Sequence, residues 1–161
     1  MKTKRAVEDE FTPGARLVEA SLRRIIGYQL AQAAIVTSQI FGREVAEAHE
    51  LRPVEFTVLT LVDENPGVSA RALAGALGVT PPNIAMWLDR LESRGLVERE
   101  RSHTDRRAQH IRVTAKGATL ARKAGRAVLA GEEATLSSLS HAERAMLAEL
   151  LHKVALCRQR D

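Results

Sequence analysis

Apolar residues recur at spacings of three and four residues near both ends of the chain, which is the pattern of long amphipathic helices. The first pattern runs over residues 15–50, and its apolar stripe comprises Leu22, Ile26, Leu30, Ala33, Thr37, Ile40, Phe41, Val45 and Ala48. A helix of that length extends roughly 50 Å, farther than the interior of a small domain. The stripe therefore predicts that a partner covers part of this helix.

Two further helical patterns end the chain. Thr114 is an N-cap for an alanine-rich pattern that runs to about residue 136. Ser140 and Glu143 form a capping box ahead of the last pattern, whose apolar face comprises Met146, Leu147, Leu150, Leu151 and Val154. Three glycines in the first of these patterns predict a bend or close packing against another helix: Gly117, Gly125 and Gly131. Both ends of the chain carry more apolar surface than one subunit covers, which predicts a homodimer.

Between these ends, shorter patterns predict a helix-turn-helix. Pro53 begins one helix, and Ser69 is the N-cap of a short helix that ends near Gly78. Thr80 is then placed to cap a second helix, with Pro81 at the first position, where a missing N–H costs nothing. The apolar stripe of this second helix is Ile84, Leu88 and Leu91, while a different face carries Pro82, Asn83, Met86 and Arg90.

After this helix, residues 96–100 and 109–113 predict two strands on either side of a polar tip. Two helices joined by a tight turn and followed by a β-hairpin with arginines are the layout of a winged helix-turn-helix. The predicted fold is mainly α with a small β-wing. We expect a flexible arm at residues 1–14, a dimerisation helix at 15–50, a DNA-binding lobe at 51–114 and dimerisation helices at 115–161.

Composition and charge allow a polyanionic partner without requiring one. The 161 residues are 45% apolar and only 3% aromatic, and the net charge is +4. Positive charge is concentrated after the second helix, at Arg99, Arg101, Arg106, Arg107, Arg112 and Lys116. A single cysteine forms no intrachain disulfide, the N-terminus is charged where a signal peptide is apolar, and no run is long enough to span a bilayer. We therefore expect a cytoplasmic protein that does not bind membranes.

The sequence offers no catalytic constellation. It has no glycine-rich phosphate loop, nucleophile elbow or Cys/His metal spacing, and its five histidines are scattered. We expect no enzyme activity, no cofactor and no metal. Two alternatives stay open beside a DNA-binding regulator: a winged helix used as a protein-interaction module, and a redox- or metal-responsive regulator of the same fold, with Cys157 as the candidate thiol.

Four short runs resemble the MarR (multiple-antibiotic-resistance regulator) family of bacterial winged-helix transcription factors. They are residues 89–92 (DRLE), 94–97 (RGLV), 105–107 (DRR) and 113–117 (VTAKG). The last two look like the family's wing signature, with Val113 where leucine is usual. The resemblance covers about nine-tenths of the chain. It implies a dimeric regulator that binds double-stranded DNA at a pseudo-palindromic operator, and we expect a repressor.

Candidate DNA contacts fall on the second helix and on the wing. The major groove admits a helix, so the exposed Pro82, Asn83 and Met86 are candidates for base contact, with Asn83 suited to adenine. The family often has Thr-Arg where this chain has Ala85-Met86, which favours apolar contact with thymine methyl groups. Arg90 is expected near the DNA or in a surface pair with Asp89 or Glu92. Residues Ser69, Thr80 and Pro81 complete the helix-turn-helix set, the first two chiefly as caps.

In the wing, the resemblance implies that Arg107 enters the minor groove and that Asp105 orients it. An arginine–carboxylate pair keeps a guanidinium rigid, which explains that spacing. Phosphate contacts, which add affinity rather than specificity, are expected from Arg99, Arg101, His103 and Arg106.

The resemblance also implies a ligand crevice where the dimerisation helices meet the DNA-binding lobe. Effectors of the family are typically small aromatic or phenolic acids, sometimes as coenzyme A thioesters. The candidate lining residues are Arg24, Tyr28, Gln32 and Phe56, with Arg24 as the partner of a carboxylate. Ordinary packing is the alternative for each of them. Ligand binding is expected to favour a dimer whose spacing fits DNA poorly.

Overall fold

A computed structural model describes residues 11–101 and 109–158. Helix α1 is Ile26–Phe41 and continues through a π-helical segment, Gly42–Ala46, into a last helical turn, Glu47–His49. The other elements are α2 (Pro53–Glu64), α3 (Ala70–Leu77), α4 (Pro81–Ser93), β1 (Val97–Arg101), β2 (Gln109–Val113), α5 (Ala115–Thr135) and α6 (His141–Leu156). The predicted fold class, mainly α with a small antiparallel wing, is confirmed.

The prediction that the first helix starts at residue 15 is wrong, because α1 begins at Ile26. Before it, Phe11 and Val18 form an antiparallel bridge, and Arg16 has a left-handed backbone with φ of +53°. A helix cannot continue through that conformation. The apolar period reaches back to Leu22, which is exposed, so no core contact holds this segment in a helix.

The core lies between the helix-turn-helix, the helix before it and the start of α5. The stripe predicted on α4 is confirmed, since Ile84, Leu88 and Leu91 are at most 1% exposed. Around them pack residues from the other elements of the lobe, among them Val58, Leu59, Val62, Leu73, Leu96, Ile111 and Ala121. This shared core fixes the position of α4 relative to the wing.

The cap of α3 is as predicted, whereas the cap of α4 differs. The Ser69 hydroxyl accepts from the Ala72 amide at 3.1 Å, and Gly78 ends α3 with φ of +64°. Thr80 occupies the N-cap position of α4, but its side chain makes no capping hydrogen bond. The two following prolines lack N–H groups, and the Asn83 amide donates to the Thr80 carbonyl at 3.1 Å, which leaves the hydroxyl no donor to cap.

The wing sheet contains one pairing that sequence patterns did not show. Strands β1 and β2 pair antiparallel from Val97↔Val113 to Arg101↔Gln109, one residue later than predicted at the start of β1. On the other side of β2, the Ile111 amide donates to the Val68 carbonyl at 3.0 Å. This one-residue bridge joins the loop before α3 to the wing.

Helix α5 begins as predicted, with the Thr114 hydroxyl accepting from the Gly117 amide at 3.0 Å. Close packing explains two of its glycines. A Cβ on Gly117 would lie 2.8 Å from Val113 Cγ2 and would overlap the Leu96 carbonyl oxygen, and one on Gly131 would lie 2.9 Å from Ile40 Cγ2. Nothing crowds Gly125 in this way. Helix α5 therefore touches both the wing base and α1 with its backbone.

Helix α6 starts with the predicted capping box, in which the Glu143 amide donates to the Ser140 hydroxyl at 3.3 Å and Glu143 Oε2 accepts from the Ser140 amide at 2.7 Å. The Ser140 hydroxyl also donates to Glu143 Oε2 at 2.7 Å, and the hydrogen bonds that the carboxylate accepts from the Ser140 hydroxyl and amide lower the pKa of the Glu143 carboxyl. None of the side chains in α6 is buried. Within the part of the chain that the structure describes, no helix is long and apolar enough to cross a membrane.

Candidate nucleic-acid interface

The N-terminal half of α4 presents an exposed surface beside the core. Pro81, Pro82 and Asn83 are exposed, and the Met86 side chain is exposed to 42% although it is apolar. The turn after α3 and the buried stripe of α4 hold these residues outward as a group. The structure thus brings together the three residues that the sequence predicted for base contact on this helix, Pro82, Asn83 and Met86, with Pro81 beside them.

Arg90 has a different partner from those predicted. Its Nη1 lies 3.6 Å from Glu55 Oε1, whereas Asp89 and Glu92 pair with another residue. Glu55 is only 5% exposed, and its other carboxylate oxygen accepts from the Arg52 amide at 3.1 Å. The prediction of a surface pair with Asp89 or Glu92 is therefore wrong. A carboxylate in the first turn of α2 also interacts favourably with that helix's N-terminus.

Arg99 connects strand β1 to α4. Its Nη2 lies 2.5 Å from Asp89 Oδ1, and its Nη1 lies 3.4 Å from Glu92 Oε2. The side chain is 23% exposed. On the opposite face of the hairpin, Arg112 Nε donates to Glu100 Oε2 at 3.0 Å. Both cations near the base of the wing are thus paired with carboxylates of their own chain.

The outer part of the predicted wing lies outside the described residues. This applies to His103, Asp105, Arg106 and Arg107, and the structure describes only the backbone of Arg101, at the end of β1. Their roles at DNA stay predictions.

Arg94 is a structural residue that the sequence reasoning did not single out. It follows α4, and its Nη1 and Nη2 donate to the carbonyls of Glu50 and His49 at 2.6 and 3.0 Å. Its own carbonyl accepts from Lys116 Nζ at 2.8 Å. The end of α1, the end of α4 and the start of α5 meet at this residue. A cation at a helix C-terminus is the only sequence signal of it.

The four candidate ligand residues are not gathered in one crevice. Arg24 lies in the turn before α1 and lines a groove of about 850 Å³ between α1 and α6, which neither Tyr28, Gln32 nor Phe56 lines. The apolar part of this groove includes Leu30, Val36, Leu147, Leu150 and Val154.

Tyr28 and Phe56 have partners within the chain. The Tyr28 hydroxyl donates to Glu19 Oε2 at 2.5 Å, and this hydrogen bond raises the pKa of the phenol. A side-chain hydrogen bond with Gln32 acts on the pKa in the opposite direction. Phe56 packs on Phe41 with ring centroids 5.7 Å apart. Ordinary packing therefore accounts for Phe56, and a hydrogen bond to the segment before α1 accounts for Tyr28.

The described residues add no further group to the redox site predicted at Cys157 and no cluster of ligands for a metal sensor. Cys157 is exposed after α6, with its thiol 3.5 Å from the Lys153 carbonyl. Across residues 11–101 and 109–158, no three side chains of His, Cys, Asp or Glu are grouped so that they could hold a metal ion.

The two-helix unit, the exposed face of α4 and the hairpin after it define a winged helix-turn-helix protein. The profile of the MarR family matches residues 51–108. A putative transcriptional regulatory protein for the hcr operon of Thauera aromatica is 31% identical over 140 residues, which cover 87% of this chain and 84% of the relative. The chain therefore belongs to the MarR family.

Two solved structures extend the likeness to the whole fold. The transcriptional repressor CouR, bound to a 23-mer DNA duplex, is 35% identical with a TM-score of 0.79, over 86% of this chain and 98% of CouR. CouR from Rhodococcus jostii RHA1, bound to p-coumaroyl-CoA, is 26% identical with a TM-score of 0.74, over 87% and 98% of the two chains. The family and these relatives are transcriptional regulators rather than enzymes, and this chain is a transcriptional regulator of the MarR type.

Proposed function

We propose that the protein is a homodimeric, DNA-binding repressor that a small aromatic or phenolic acid, or its coenzyme A thioester, releases from its operator. One observation carries this proposal: the exposed N-terminal half of α4 lies on a lobe similar to that of CouR, a repressor solved on DNA, at 35% identity. A helix presented in this way fits the major groove.

On α4, we assign base contact to the exposed side chains, and we keep Ser69 and Thr80, at the starts of α3 and α4, as secondary candidates for phosphate contact. Asn83 is suited to a bidentate contact with adenine, and Met86 to the methyl group of thymine. The wing supplies Arg107, oriented by Asp105, to the minor groove, and Arg101, His103 and Arg106 to phosphates.

The exposed apolar face of α6 supports the homodimer. Its five large apolar side chains are each between 40% and 54% exposed: Met146, Leu147, Leu150, Leu151 and Val154. Just before and along α1, Ile25, Ile26 and Ile35 are also at least half exposed. Monomeric proteins rarely leave such continuous apolar surface uncovered. Two-fold symmetry then predicts a pseudo-palindromic operator with half-sites about one helical turn apart.

The proposed effector class rests on CouR, whose structure contains p-coumaroyl-CoA. In this chain Arg24 and Lys153 lie at the groove beside α6, where either cation suits the anionic end of an effector, while the apolar wall of that groove belongs to the face that we assign to the second copy. We keep Tyr28, Gln32 and Phe56 as candidates for a second part of the site. An effector acts only if its affinity differs between the DNA-binding dimer and the released dimer.

Fluorescence anisotropy of a labelled duplex from the DNA upstream of the gene tests this function. We expect tight binding with a steep salt dependence, because each phosphate contact adds about 0.9 to the slope of log K against log salt. Arg107→Ala should weaken binding strongly. Arg126→Ala, which removes the same charge from the exposed side of α5, is the matched control and should change little.

A panel of aromatic acids and their thioesters then tests for release. Relief by one compound would support both the repressor and its effector class. Binding that no compound relieves would contradict the effector class and leave DNA binding intact. Binding no tighter than to a random duplex, with a shallow salt dependence, would contradict the operator and favour the protein-interaction module.

A further inference from the structure

The base of the wing is held against α4 by one guanidinium and two carboxylates. Besides its ion pairs with Asp89 and Glu92, Arg99 Nη2 lies 3.5 Å from the Ala85 carbonyl. Residues 85, 89 and 92 are spaced by four and three, so they lie along one face of α4. The guanidinium therefore spans about two turns of the helix that we propose as the DNA reader.

The strand geometry explains why Arg99 reaches this helix. Alternate residues of a strand point to the same face, so Arg99 shares a face with Val97, which is 2% exposed and belongs to the core. Its cross-strand partner on that face is Ile111, also buried. Arg99 is thus the first polar residue beyond the apolar contact between β1 and the lobe.

The charges on α4 also favour a structural role for Arg99. Asp89 and Glu92 place two negative charges on a helix that is to approach phosphates, where each carboxylate alone would oppose binding. Asp89 and Glu92 therefore favour DNA binding only if their ion pairs with Arg99 have a structural role. A guanidinium engaged by two carboxylates and a carbonyl would have to break these contacts to reach a phosphate.

We infer that Arg99 is a positioning residue: paired with Asp89 and Glu92, it fixes the angle between the wing and α4, and it does not act as a phosphate contact. In sequence, Arg99 precedes the arginines that we propose for DNA contact, Arg101, Arg106 and Arg107. The inference rests on the proposed DNA-binding function and replaces the phosphate role predicted for Arg99 from the sequence.

The two roles predict opposite signs for one substitution. If Arg99 contacts phosphate, Asp89→Asn removes a competitor and a negative charge, and operator binding tightens. If Arg99 positions the wing, Asp89→Asn weakens operator binding about threefold to tenfold, and adding Glu92→Gln weakens it further. Glu98→Gln is the matched control: it removes one exposed carboxylate from the same strand, and no ion pair of Glu98 occurs among the described residues. It should bind as tightly as the parent or slightly more tightly.

Further readouts separate positioning from loss of folded protein. Misfolding lowers binding to operator and random duplexes equally, whereas a misaligned wing lowers the ratio between them. The exchanged pair, Asp89→Arg with Arg99→Asp, should recover part of that ratio relative to Arg99→Asp alone. Tighter or unchanged operator binding by Asp89→Asn, or no recovery in the exchanged pair, would overturn the inference.

Hydrogen exchange of the free protein tests the joint without DNA. We expect amides of β1 (residues 97–101) to exchange faster in Asp89→Asn with Glu92→Gln than in Glu98→Gln. Equal exchange in these two proteins would overturn the inference even if the operator proves wrong. If the parent protein shows no operator preference but exchange differs as expected, the operator proposal fails and the joint stands.

Discussion

Ser69 and Thr80 occupy the same position at the start of two consecutive helices, and only one of them caps its helix. The Ser69 hydroxyl accepts from the Ala72 amide, whereas the corresponding amide after Thr80, that of Asn83, donates to the Thr80 carbonyl instead of the hydroxyl. The sequence therefore predicted the cap position of each residue, but whether the hydroxyl caps the helix depends on which oxygen the amide three residues later meets.

This contrast gives a matched pair of substitutions. Ser69→Ala should lower the free energy of unfolding by about 1 kcal/mol, the usual cost of a lost N-cap. Thr80→Ala should change it by less than about 0.5 kcal/mol, as at an ordinary surface site. Urea unfolding at one fixed protein concentration measures both. Equal losses in the two variants would show that Thr80 does cap α4.

Tyr28 is the only tyrosine of the chain, so the phenolate absorbance reports its ionisation alone. The hydrogen bond to Glu19 raises the pKa of the phenol above its ordinary value of 10.0, so we expect the midpoint of its titration above pH 10.0. Because the unfolded chain ionises first, this bond stabilises the fold below about pH 10 and is lost as the pH rises through the folded pKa.

Glu19→Gln should move this midpoint down, since it removes the carboxylate that favours the protonated phenol. Glu64→Gln, at the exposed end of α2, should leave it unchanged. An ordinary midpoint in the parent protein would place Tyr28 away from Glu19 and strengthen it as a candidate for the ligand site.

At the scale of elements, two glycines of α5 lower the intrinsic stability of the helix, but the close packing of neighbouring elements leaves no room for a side chain at either position. Gly117 lies against the Leu96 carbonyl and Val113, and Gly131 lies against α1. Each costs helix stability by itself, so only the tertiary contact explains its presence.

Gly117→Ala should lower the free energy of unfolding by about 1 to 3 kcal/mol, because the added methyl group meets rigid backbone. Gly125→Ala, in the same helix and without close neighbours, should raise it by about 0.5 to 1 kcal/mol. Thermal or urea unfolding gives both signs. A neutral Gly117→Ala would mean that α5 sits farther from the wing base.

Cap residues and prolines located most helix starts from the sequence, and the start of α1, predicted from periodicity alone, was wrong. Helices α3, α5 and α6 begin at their hydroxyl caps, and Pro53 begins α2. Helix α1 has no side-chain cap, and its start was placed eleven residues too early from periodicity alone. The bridge between Val68 and Ile111 has no local signal, because a one-residue pairing carries no period.

At the scale of the whole molecule, the apolar face of α6 is exposed, and we propose that a second copy of the chain covers it. Leu150→Glu places a charge in the middle of that face and should shift the mass measured by sedimentation equilibrium toward that of one chain. His152→Glu is the control, since it puts the same side chain on the opposite face of α6. An unchanged mass for Leu150→Glu would move the dimer interface elsewhere.

The candidate interface was predictable in part. The exposed residues of α4 followed from the stripe of Ile84, Leu88 and Leu91, because a helix with one buried face exposes the other. The partners of Arg90, Arg94 and Arg99 were not predictable, since each lies on another element, more than 40 residues away in the case of Arg94 and Glu50.

By itself, the sequence determined the class of fold, the order of its elements, most of its helix starts and the family, because caps, periodicity and short motifs act over a few residues. The tertiary structure alone decided which carboxylate each arginine meets, where the glycines of α5 touch their neighbours, and that Arg24 lies apart from Phe56. Ion pairs and close contacts form between segments distant in sequence, and only the packed core brings those segments to bonding distance.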